Sequence, residues 1–483
     1  MKKELEGLDP QKVWEHFYQI SQIPRESGNE QAVGQYIISV AKRNNLSHTQ
    51  DKIGNVLVRC PASKGMEKSE KVVIQNHIDM VCEKNKDTIH DFSKDPIQLI
   101  KEGEWIHANG TTLGSDNGIG VSFALTLMED KNVDHPPLEL LFTVDEETGL
   151  TGASGLQPGF LQGKILINLD SEEEGAFYIG CAGGKHTILR KEVEWRAAPS
   201  GYQALNLKIS GLQGGHSGLN IHQGLGNSIK LLSRILFNLK DKTDFALAGI
   251  SGGNKHNAIP REAEATILLP QNSVKNISIY VREMDEVLKK EYQFSDKNVT
   301  AKLETAESVE KVFSQSFQNK LVNLIYAMPH GVMAMSHAVE GLVETSTNMA
   351  VVEIKGKNIE LLTSQRSSLA SSIQDIADKV KALGALAEFE VEQGGGYPAW
   401  EPNPDSPLLK LAVKTYENVY KKSPSVKAIH AGLECGIIGE KYPGMDMISF
   451  GPTIQGAHSP DERVLIPTVV KCWKYLTTLL KEM

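Results

Sequence analysis

Apolar residues recur at helical spacing in two stretches near the start of the chain. Val13, Phe17 and Ile20 follow Pro10 on one helical face, and proline is favoured in the first turn of a helix. A second helix is predicted from the apolar positions Val33, Tyr36, Ile37 and Val40. The segment GIGVSFALTLM, at 118–128, is apolar on nearly every side and therefore predicts a buried helix.

Short apolar and β-branched segments lie between these helices and predict strands. They are NVLVR (55–59), VVIQ (72–75), LELLFTV (138–144) and KILINL (164–169). Strands that alternate with helices are typical of a parallel sheet with helices on both faces. The predicted fold class is therefore α/β, with a mixed, mostly parallel sheet sandwiched by helices. Ligand sites in such sheets form beyond the carboxyl ends of the strands.

The middle of the chain shows a different pattern. Amphipathic strand-like segments such as ALNLKISGL and AVVEIKG accompany helical stretches there, and acids do not directly follow the strands. We predict an inserted α+β domain over 185–392, which divides a catalytic α/β domain into 1–184 and 393–483. The Gly- and Pro-rich segment 394–407 is interpreted as the return crossing. The tail resumes the α/β pattern with a helix near 407–420, a strand at 445–450 and a helix near 465–481.

Composition and charge exclude several classes of function. The chain has 483 residues, 40% hydrophobic and 23% charged, which is ordinary for a globular protein of two or more domains. A net charge of −9 does not indicate a basic surface for binding nucleic acid or an anionic membrane. No apolar segment approaches the roughly 20 residues of a membrane span, and no signal peptide is indicated. The five cysteines are scattered, which favours reduced thiols and a cytoplasmic location.

The segment LFTVDEETGL, at 141–150, carries an apolar strand directly into three acids. Asp145, Glu146 and Glu147 repel one another unless a positive charge lies between them. A solvent-facing turn is the ordinary explanation for such a run, since charged residues usually face water. A metal ion among the carboxylates is the alternative, and the rest of the chain has to decide between them.

Other residue types that bind metals also follow predicted strands. They are His77 and Asp79 after 72–75, Asp116 in a glycine-flanked turn, Asp170 after 164–169, and His458 in a loop after the last strand. Zinc binds histidine nitrogen and carboxylate oxygen, and a two-metal site needs a carboxylate shared between its ions. Each element alone has an ordinary explanation, such as helix capping by Asp116. Several of them at strand ends together favour a metal centre.

Eight motifs spread along the chain share one resemblance. They are NHIDMVCEKN, GTTLGSDNGIG, LFTVDEETGLTGA, INLDSEEEG, GGHSG, NAIPRE, HAGLECG and GPTIQGAHSPDE. Together they resemble the aminoacyl-histidine dipeptidases, bacterial carnosinase-type Xaa-His dipeptidases of the co-catalytic di-zinc exopeptidase family, essentially from end to end. Asn76 and Met80 flank the His-x-Asp motif, where the wider family has a small residue before it and Thr or Val after it. This departure favours the histidyl-dipeptidase branch over acylases and carboxypeptidases.

The resemblance implies two zinc ions in each subunit, held by five residues. Asp116 is expected to bridge both ions. His77 and Asp170 are expected to complete one site, and Glu147 and His458 the other. Co²⁺ or Mn²⁺ could replace zinc, because sites of histidine and carboxylate accept these metals as well.

The resemblance also assigns catalytic roles to two further carboxylates. Asp79 is expected to orient His77 through a hydrogen bond. Glu146 is expected to act as the general base on the water that bridges the metals, and to pass the proton to the leaving amine. Two cations would neutralise the acidic cluster, so that Glu147 can bind metal while its neighbour Glu146 stays ionised.

Five further residues are candidates for substrate binding, and Asn257 and Arg366 match substrate-contacting positions of the family. His216 is expected to stabilise the tetrahedral oxyanion, and Arg366 suits bidentate capture of a free α-carboxylate. Asn257 is expected to contact the substrate. His430 and Glu434 line the site or the free-amine pocket, or simply pack near it. Without the resemblance, His216 is a structural histidine and Arg366 a surface arginine.

The predicted function is a cytosolic di-zinc metallodipeptidase that hydrolyses Xaa-His dipeptides, including β-alanyl-histidine. Its partners are the dipeptide and a second copy of the chain, with the inserted domain as lid and dimerisation domain, and neither nucleic acid nor membrane. An amidohydrolase, acylase or broader aminopeptidase of the same family is one alternative. A metal-binding dimer without catalysis is another, although metal binding alone does not need a general base such as Glu146. A thiol enzyme based on Cys435 is disfavoured, because buried structural cysteine is the default.

Overall fold

A computed structural model describes residues 5–483 and separates them into two compact units. The first unit comprises the described residues up to Gly180, with Pro402–Ala428 and Leu433–Met483. The second comprises Cys181–Glu401 and Ile429–Gly432. Each unit contains its own large hydrophobic core.

The first unit is built on an eight-stranded sheet. In spatial order its strands are Ser47–Gln50, Val56–Cys60, Leu138–Thr143, Val72–His77, Ile165–Asn168, Asp446–Ser449, Ala176–Cys181 and Ser425–Ile429. The third to sixth strands of this order run parallel, and antiparallel strands flank them. The predicted α/β class with a mixed sheet is confirmed. A smaller sheet contains Ile454–Gln455, Arg463–Leu465, Trp105–Ala108 and Leu99–Glu102.

Helices pack around the sheet of the first unit. They are Gln11–Ser21, Gln31–Arg43, Ser115–Glu129, Glu146–Gly149, Thr151–Gly155, Pro407–Tyr420, Glu434–Lys441 and Ile466–Glu482. The helix Ser115–Glu129 is buried along most of its length, as its apolar sequence predicts. Its hydroxyl groups on Ser122 and Thr126 donate to carbonyls four residues earlier, which allows both residues to lie in the core.

The second unit has a nine-stranded antiparallel sheet. In spatial order its strands are Thr300–Thr305, Tyr202–Ser210, Ala263–Pro270, Ala246–Gly252, Val343–Lys355, Asn358–Ser367, Gly183–Glu192 and Glu390–Tyr397, with Gly331–Met335 paired to Val343–Lys355. Two smaller pairs join Trp195–Ala197 to Lys311–Phe313 and Gly215–His216 to Ala258–Ile259. The antiparallel pairing explains the alternating apolar pattern of the sequence in this region.

The helices of the second unit are amphipathic. They are Ser228–Leu239, Val274–Glu291, Gln315–Ala327 and Ala370–Leu386, with a short 3₁₀ turn at Ile221–Gln223. Ile229, Leu232 and Ile235 illustrate the pattern, since they recur at helical spacing and are fully buried. Across residues 5–483, no helix is both long enough and apolar enough to cross a membrane.

The predicted domain boundaries fall within strands of the second unit. The boundary after residue 184 lies in Gly183–Glu192, and the boundary after residue 392 lies in Glu390–Tyr397. The first part of the predicted return crossing, 394–407, is strand as far as Tyr397, and the first unit resumes at Pro402 within this segment. A register shift between Gly394 and Gly396 accommodates the glycine run while the pairing continues.

Candidate active site

The four parallel strands of the first unit deliver polar side chains to one edge of the sheet. One inner strand ends at His77, and its two neighbours are followed by Glu146 and Glu147 and by Asp170. His458 lies in the loop after the short strand Ile454–Gln455, which follows the fourth parallel strand. Carboxyl ends of parallel strands meet at the same edge, which is why residues far apart in the sequence gather here.

His77, Asp116 and Asp170 form the first group of possible metal ligands. The Nε2 atom of His77 lies 3.0 Å from Oδ1 of Asp116 and 3.1 Å from Oδ1 of Asp170. The imidazole is fully enclosed, with 1% of its surface exposed. One nitrogen and two carboxylate oxygens make a donor set that suits zinc and other divalent metals.

Asp116, Glu147 and His458 form the second group. The Nε2 atom of His458 lies 3.2 Å from Oδ2 of Asp116 and 3.1 Å from Oε2 of Glu147. These two hydrogen bonds raise the pKa of His458 to about 11, which shows how strongly the carboxylates attract positive charge. Asp116 thus directs one oxygen to each group, and its carboxylate does not cap its helix.

The donor chemistry fits divalent cations. Burial raises the pKa of Asp170 to about 7, and the neighbouring carboxylates of Asp116 and Glu147 add to this effect. Within residues 5–483, Oε1 of Glu147 is buried and has no hydrogen-bond partner. Crowded carboxylates with an unused oxygen need positive charge nearby, and a metal ion supplies it.

Asp79 is hydrogen-bonded to His77 and to the backbone of Glu146 and Glu147. Its carboxylate is fully buried and lies 3.2 Å from Nδ1 of His77, which leaves Nε2 of the same ring for a metal. It also accepts hydrogen bonds from the hydroxyl of Ser27 and from the backbone N–H groups of Glu146 and Glu147. Burial by itself would raise the pKa of Asp79, but the hydrogen bond and charge of His77 hold it well below its usual value.

Glu146 begins a short helix beside these ligands. Burial raises its pKa well above the usual value, His77 opposes this shift, and the carboxylates of Asp170 and Glu434 add to it. A cation among the carboxylates lowers the pKa of Glu146 again. The environment therefore suits a group that takes and returns a proton near neutral pH.

Glu434 is a fully buried carboxylate in the first unit. Its Oε2 atom accepts hydrogen bonds from Gln75 at 2.5 Å and from Thr143 at 2.7 Å, near the ends of two central strands. Burial raises its pKa to about 7. In the described part of the chain, its Oε1 atom has no hydrogen-bond partner, so that oxygen is available to a ligand.

Arg366 is an enclosed arginine in the second unit, with 6% of its surface exposed. Its Nη1 atom donates to the hydroxyl of Tyr397 at 2.6 Å. Its Nε atom is buried and has no hydrogen-bond partner among residues 5–483. A sheltered guanidinium with an unused N–H group is suited to bind a carboxylate.

His216 lies beside Arg366 in a defined protonation state. Its Nδ1 atom accepts hydrogen bonds from the N–H groups of Gly218 and Leu219, at 3.2 and 3.0 Å. With two N–H donors on Nδ1, we place the proton of the neutral ring on Nε2, so the 3.4 Å approach of Nη2 of Arg366 to Nε2 is a contact between two donors and not a hydrogen bond. Burial and the charge of Arg366 lower the pKa of His216 to about 4, so the ring stays neutral and offers an N–H donor.

Asn257 and His430 lie close to these two residues within the second unit. The backbone carbonyl of Asn257 accepts a hydrogen bond from the N–H group of Ser217, which follows His216. The Nε2 atom of His430 lies 2.7 Å from the hydroxyl of Ser346, which is paired across the sheet with Arg366. The second unit thus gathers four of the predicted substrate-binding residues, and Glu434 belongs to the first unit.

Comparison with known proteins identifies the family. The sequence matches peptidase family M20/M25/M40 over residues 73–482. The chain belongs to this family. It is therefore a metallopeptidase, a hydrolase that acts on peptide bonds.

Two relatives of this M20 peptidase match it over nearly its whole length. The cytosol non-specific dipeptidase of Escherichia coli (strain K12) is 44% identical over 479 residues, which is 99% of each chain. The crystal structure of aminoacylhistidine dipeptidase from Vibrio alginolyticus matches with a TM-score of 0.93 at 41% identity, covering 100% of this chain and 98% of that one. The resemblance seen in the sequence motifs is confirmed. Aminopeptidase PepT from Bacillus cereus matches over 98% of this chain and 99% of that one, with a TM-score of 0.57 and 13% identity, and shows the shared fold alone.

The structure adds two buried charged residues that the sequence analysis of this M20 peptidase missed. Arg25 and Glu462 are 3% and 2% exposed and contact the backbone around the ligand groups. Glu462 lies within the motif GPTIQGAHSPDE, but an acid in a polar loop usually faces solvent. Its position four residues after His458 is the one local sign that it belongs to the site.

Proposed function

We propose that this M20 peptidase is a cytosolic two-zinc dipeptidase, with Xaa-His dipeptides such as β-alanyl-histidine among its substrates. The observation that carries the proposal is the position of Asp116, which directs one oxygen to His77 and the other to His458. A shared carboxylate between two donor groups is what a two-metal hydrolase requires. Bound there, divalent cations supply Lewis-acid polarisation of the peptide carbonyl and a lower pKa for water.

Glu146 is the proposed general base. It takes a proton from the attacking water and passes it to the nitrogen of the leaving amine, so that the peptide bond breaks without a charged amide anion. Asp79 supports this step, because it binds the backbone N–H groups of Glu146 and Glu147 and orients His77. In the second unit, the N–H group on Nε2 of His216 is the proposed donor to the oxyanion of the tetrahedral intermediate.

Arg366 and Glu434 are proposed to select peptides that are charged at both ends. Arg366 offers an unused N–H group for the α-carboxylate, and Glu434 offers an unused oxygen for the free amine. The names of the two relatives, a dipeptidase and an aminoacylhistidine dipeptidase, support a substrate of two residues. Asn257 and His430 are proposed as further substrate contacts. We also propose a homodimer formed through the second unit.

A broader dipeptidase is the second candidate. The Escherichia coli relative carries the name of a non-specific dipeptidase, although the Vibrio alginolyticus structure is named for aminoacyl-histidine substrates. Both names agree on dipeptides and differ on the second residue. The two candidate functions therefore differ in whether the protein requires a histidine side chain on the second residue of the dipeptide.

A comparison of four substrates tests the proposed function. Zinc-loaded protein is incubated with β-alanyl-histidine, leucyl-histidine, leucyl-glycine and N-acetyl-histidine at equal concentration, and the released amino acid is measured. We expect cleavage of the two unblocked histidyl dipeptides, because each has a free amine for Glu434 and a free carboxylate for Arg366. Leucyl-glycine is expected to be cleaved more slowly.

Each other outcome has a definite meaning. Equal rates on leucyl-histidine and leucyl-glycine would establish the broader dipeptidase. Activity mainly on N-acetyl-histidine would replace the dipeptidase by an acylase, since that substrate lacks the free amine. Failure to cleave any of the four substrates, with two metals bound, would favour a non-catalytic role.

The variant Arg366→Ala is expected to lose kcat/KM mainly on substrates with a free α-carboxylate. Hydrogen bonds to charged groups are worth about 1.5–3 kcal/mol, which corresponds to a loss of roughly 10- to 150-fold. The measurement compares leucyl-histidine with its C-terminal amide. The amide should be cleaved at nearly the same rate by the variant and by the unchanged protein, because it has no carboxylate to bind.

The matched control for Arg366 is Arg190→Ala. Arg190 lies in a neighbouring strand of the same sheet, and its guanidinium already pairs with Glu360 and Glu392. Its removal should leave the ratio of the two rates unchanged. An equal loss on both substrates in Arg366→Ala would contradict the assignment of Arg366 to the α-carboxylate.

A further inference from the structure

Glu462 binds the backbone of the segment that leads into Asp116. Its Oε2 atom accepts hydrogen bonds from the N–H groups of Leu113 at 2.7 Å and Gly114 at 2.9 Å. Its Oε1 atom accepts from the N–H groups of Ser115 at 2.7 Å and Asp116 at 3.2 Å. The Ser115 hydroxyl adds a further hydrogen bond at 2.6 Å. One buried carboxylate therefore holds four consecutive peptide units.

Arg25 binds the same segment from the other side. One of its Nη atoms donates to the carbonyls of Ile78, at 3.1 Å, and Asp79, at 2.6 Å. The other donates to the carbonyl of Gly114. The guanidinium thus joins the residues that follow His77 to the segment that carries the shared carboxylate.

Gly114 lies between these two charged groups and has to be glycine. Its backbone is left-handed, with φ of +70°. A Cβ atom there would lie 2.5 Å from Nη2 of Arg25 and 2.8 Å from the sulfur of Met80. Only a residue without a side chain allows the carbonyl to reach Arg25 while the N–H reaches Glu462.

Glu462 also connects Asp116 to the loop that carries His458. The two residues are four positions apart, and the N–H group of Glu462 donates to the carbonyl of Ser459 within that loop. His458 contacts the side chain of Asp116, with 3.2 Å between Nε2 and Oδ2. Residues of this loop therefore contact both the backbone N–H group and the carboxylate of Asp116.

We infer that Glu462 and Arg25 are positioning residues that fix Asp116 for both metal-binding groups at once. The inference rests on the proposed function, because it concerns the shared carboxylate of the two-metal site. Asp116 is the single member common to both groups. A shift of its backbone moves both of its oxygens, so the loss of Glu462 should weaken both metals in parallel.

A merely structural role for Glu462 makes a different prediction. Glu139 provides the comparison, since it too is a fully buried carboxylate that binds loop backbone. It accepts from the N–H groups of Gln162 at 2.8 Å and Gly163 at 2.9 Å. It lies near the start of the strand Leu138–Thr143, at the end of the sheet away from the ligands. Its loss should destabilise the fold without affecting the metals.

The test compares Glu462→Gln with Glu139→Gln. Each protein is freed of metal and titrated with Zn²⁺ in competition with a chromophoric chelator, and its thermal unfolding midpoint is recorded. Glutamine keeps the size of the side chain but turns N–H groups toward the backbone donors. We expect Glu462→Gln to bind both ions about 10- to 100-fold more weakly, as is typical when a group that orients a ligand is lost. We expect Glu139→Gln to keep the original zinc affinities.

The variant Ser115→Ala keeps the test decisive if Glu462→Gln does not fold. It removes one of the hydrogen bonds to Glu462 and leaves the backbone contacts in place. We expect the affinity for both ions to fall by roughly 2- to 10-fold, in the same direction.

The outcomes separate the inference from the proposed function. If the unchanged protein binds fewer than two zinc ions, the proposed two-metal function fails. If the unchanged protein binds two zinc ions and Glu462→Gln binds them with the same affinities, the positioning role is overturned. Ser115→Ala replaces Glu462→Gln in this comparison if the latter does not fold. Weakening of one ion alone would also overturn it, because the inference requires both ions to respond through Asp116.

Discussion

The variant Glu146→Gln is expected to keep two bound metals and to lose nearly all turnover. Glutamine has the shape of glutamate, but its amide cannot take a proton from water or return one to the leaving amine. General acid–base groups contribute about 10²- to 10⁴-fold to a rate, and kcat should fall by that factor. The measurement combines kcat on leucyl-histidine with zinc content determined on the same sample.

The neighbouring variant Glu147→Gln is the matched control. Glu147 lies 3.1 Å from His458 in the second group, whereas Glu146 is grouped only with His77 and Glu147 and not with the shared Asp116. Glu147→Gln should therefore lose zinc together with activity. If Glu146→Gln loses metal and Glu147→Gln retains it, the roles of base and ligand are the reverse of those proposed.

The variant Asp116→Ala is expected to lose both metals and, with them, all measurable hydrolysis. Each oxygen of Asp116 belongs to a different group, so one substitution removes a ligand from both. Zinc content per chain, measured after dialysis against a weak chelator, should fall from two to near zero. The rate should fall at least as far as in Glu146→Gln, because the polarising cations are absent as well.

Asp170→Ala is the control for this second prediction. Asp170 belongs to the group that contains His77, and not to the group that contains His458. Its removal should weaken one ion much more than the other. A protein with Asp116→Ala that still carries two zinc ions would contradict the bridging role.

The position of the ligands at one edge of the sheet could be predicted, because the residues that indicate it directly follow predicted strands in the sequence. The run from Leu140 to Val144 is apolar or β-branched and is followed at once by acids, and His77 comes three residues after the apolar run that ends at Ile74. The rule that parallel strands end at one edge then places residues from different strands together. The five predicted ligands lie together at this edge. The acidic run that begins at Asp145, taken alone, would equally fit a solvent-facing turn.

The contacts that position Asp116 could not be predicted in this way. Arg25 and Glu462 come from opposite ends of the chain, and no local pattern indicates that either is buried. Their partners are backbone N–H and carbonyl groups. Nearly every residue has these groups, so the spacing of side chains in the sequence does not indicate such contacts.

The protonation of His216 likewise depends on tertiary structure. The motif GGHSG indicates a histidine in a tight loop but not which nitrogen carries the proton. The N–H groups of Gly218 and Leu219 decide this, because both donate to Nδ1. The proposed oxyanion donor thus follows from the folded loop, whereas the resemblance supplies only the residue.

Anomalous diffraction at the zinc edge, from crystals of the zinc-loaded protein, tests directly whether two metal ions share Asp116. We expect two peaks per chain, one among His77, Asp116 and Asp170 and one among Asp116, Glu147 and His458. A single peak, or a peak among Glu30, Asp79 and Asp145 in place of either, would contradict the two-metal site.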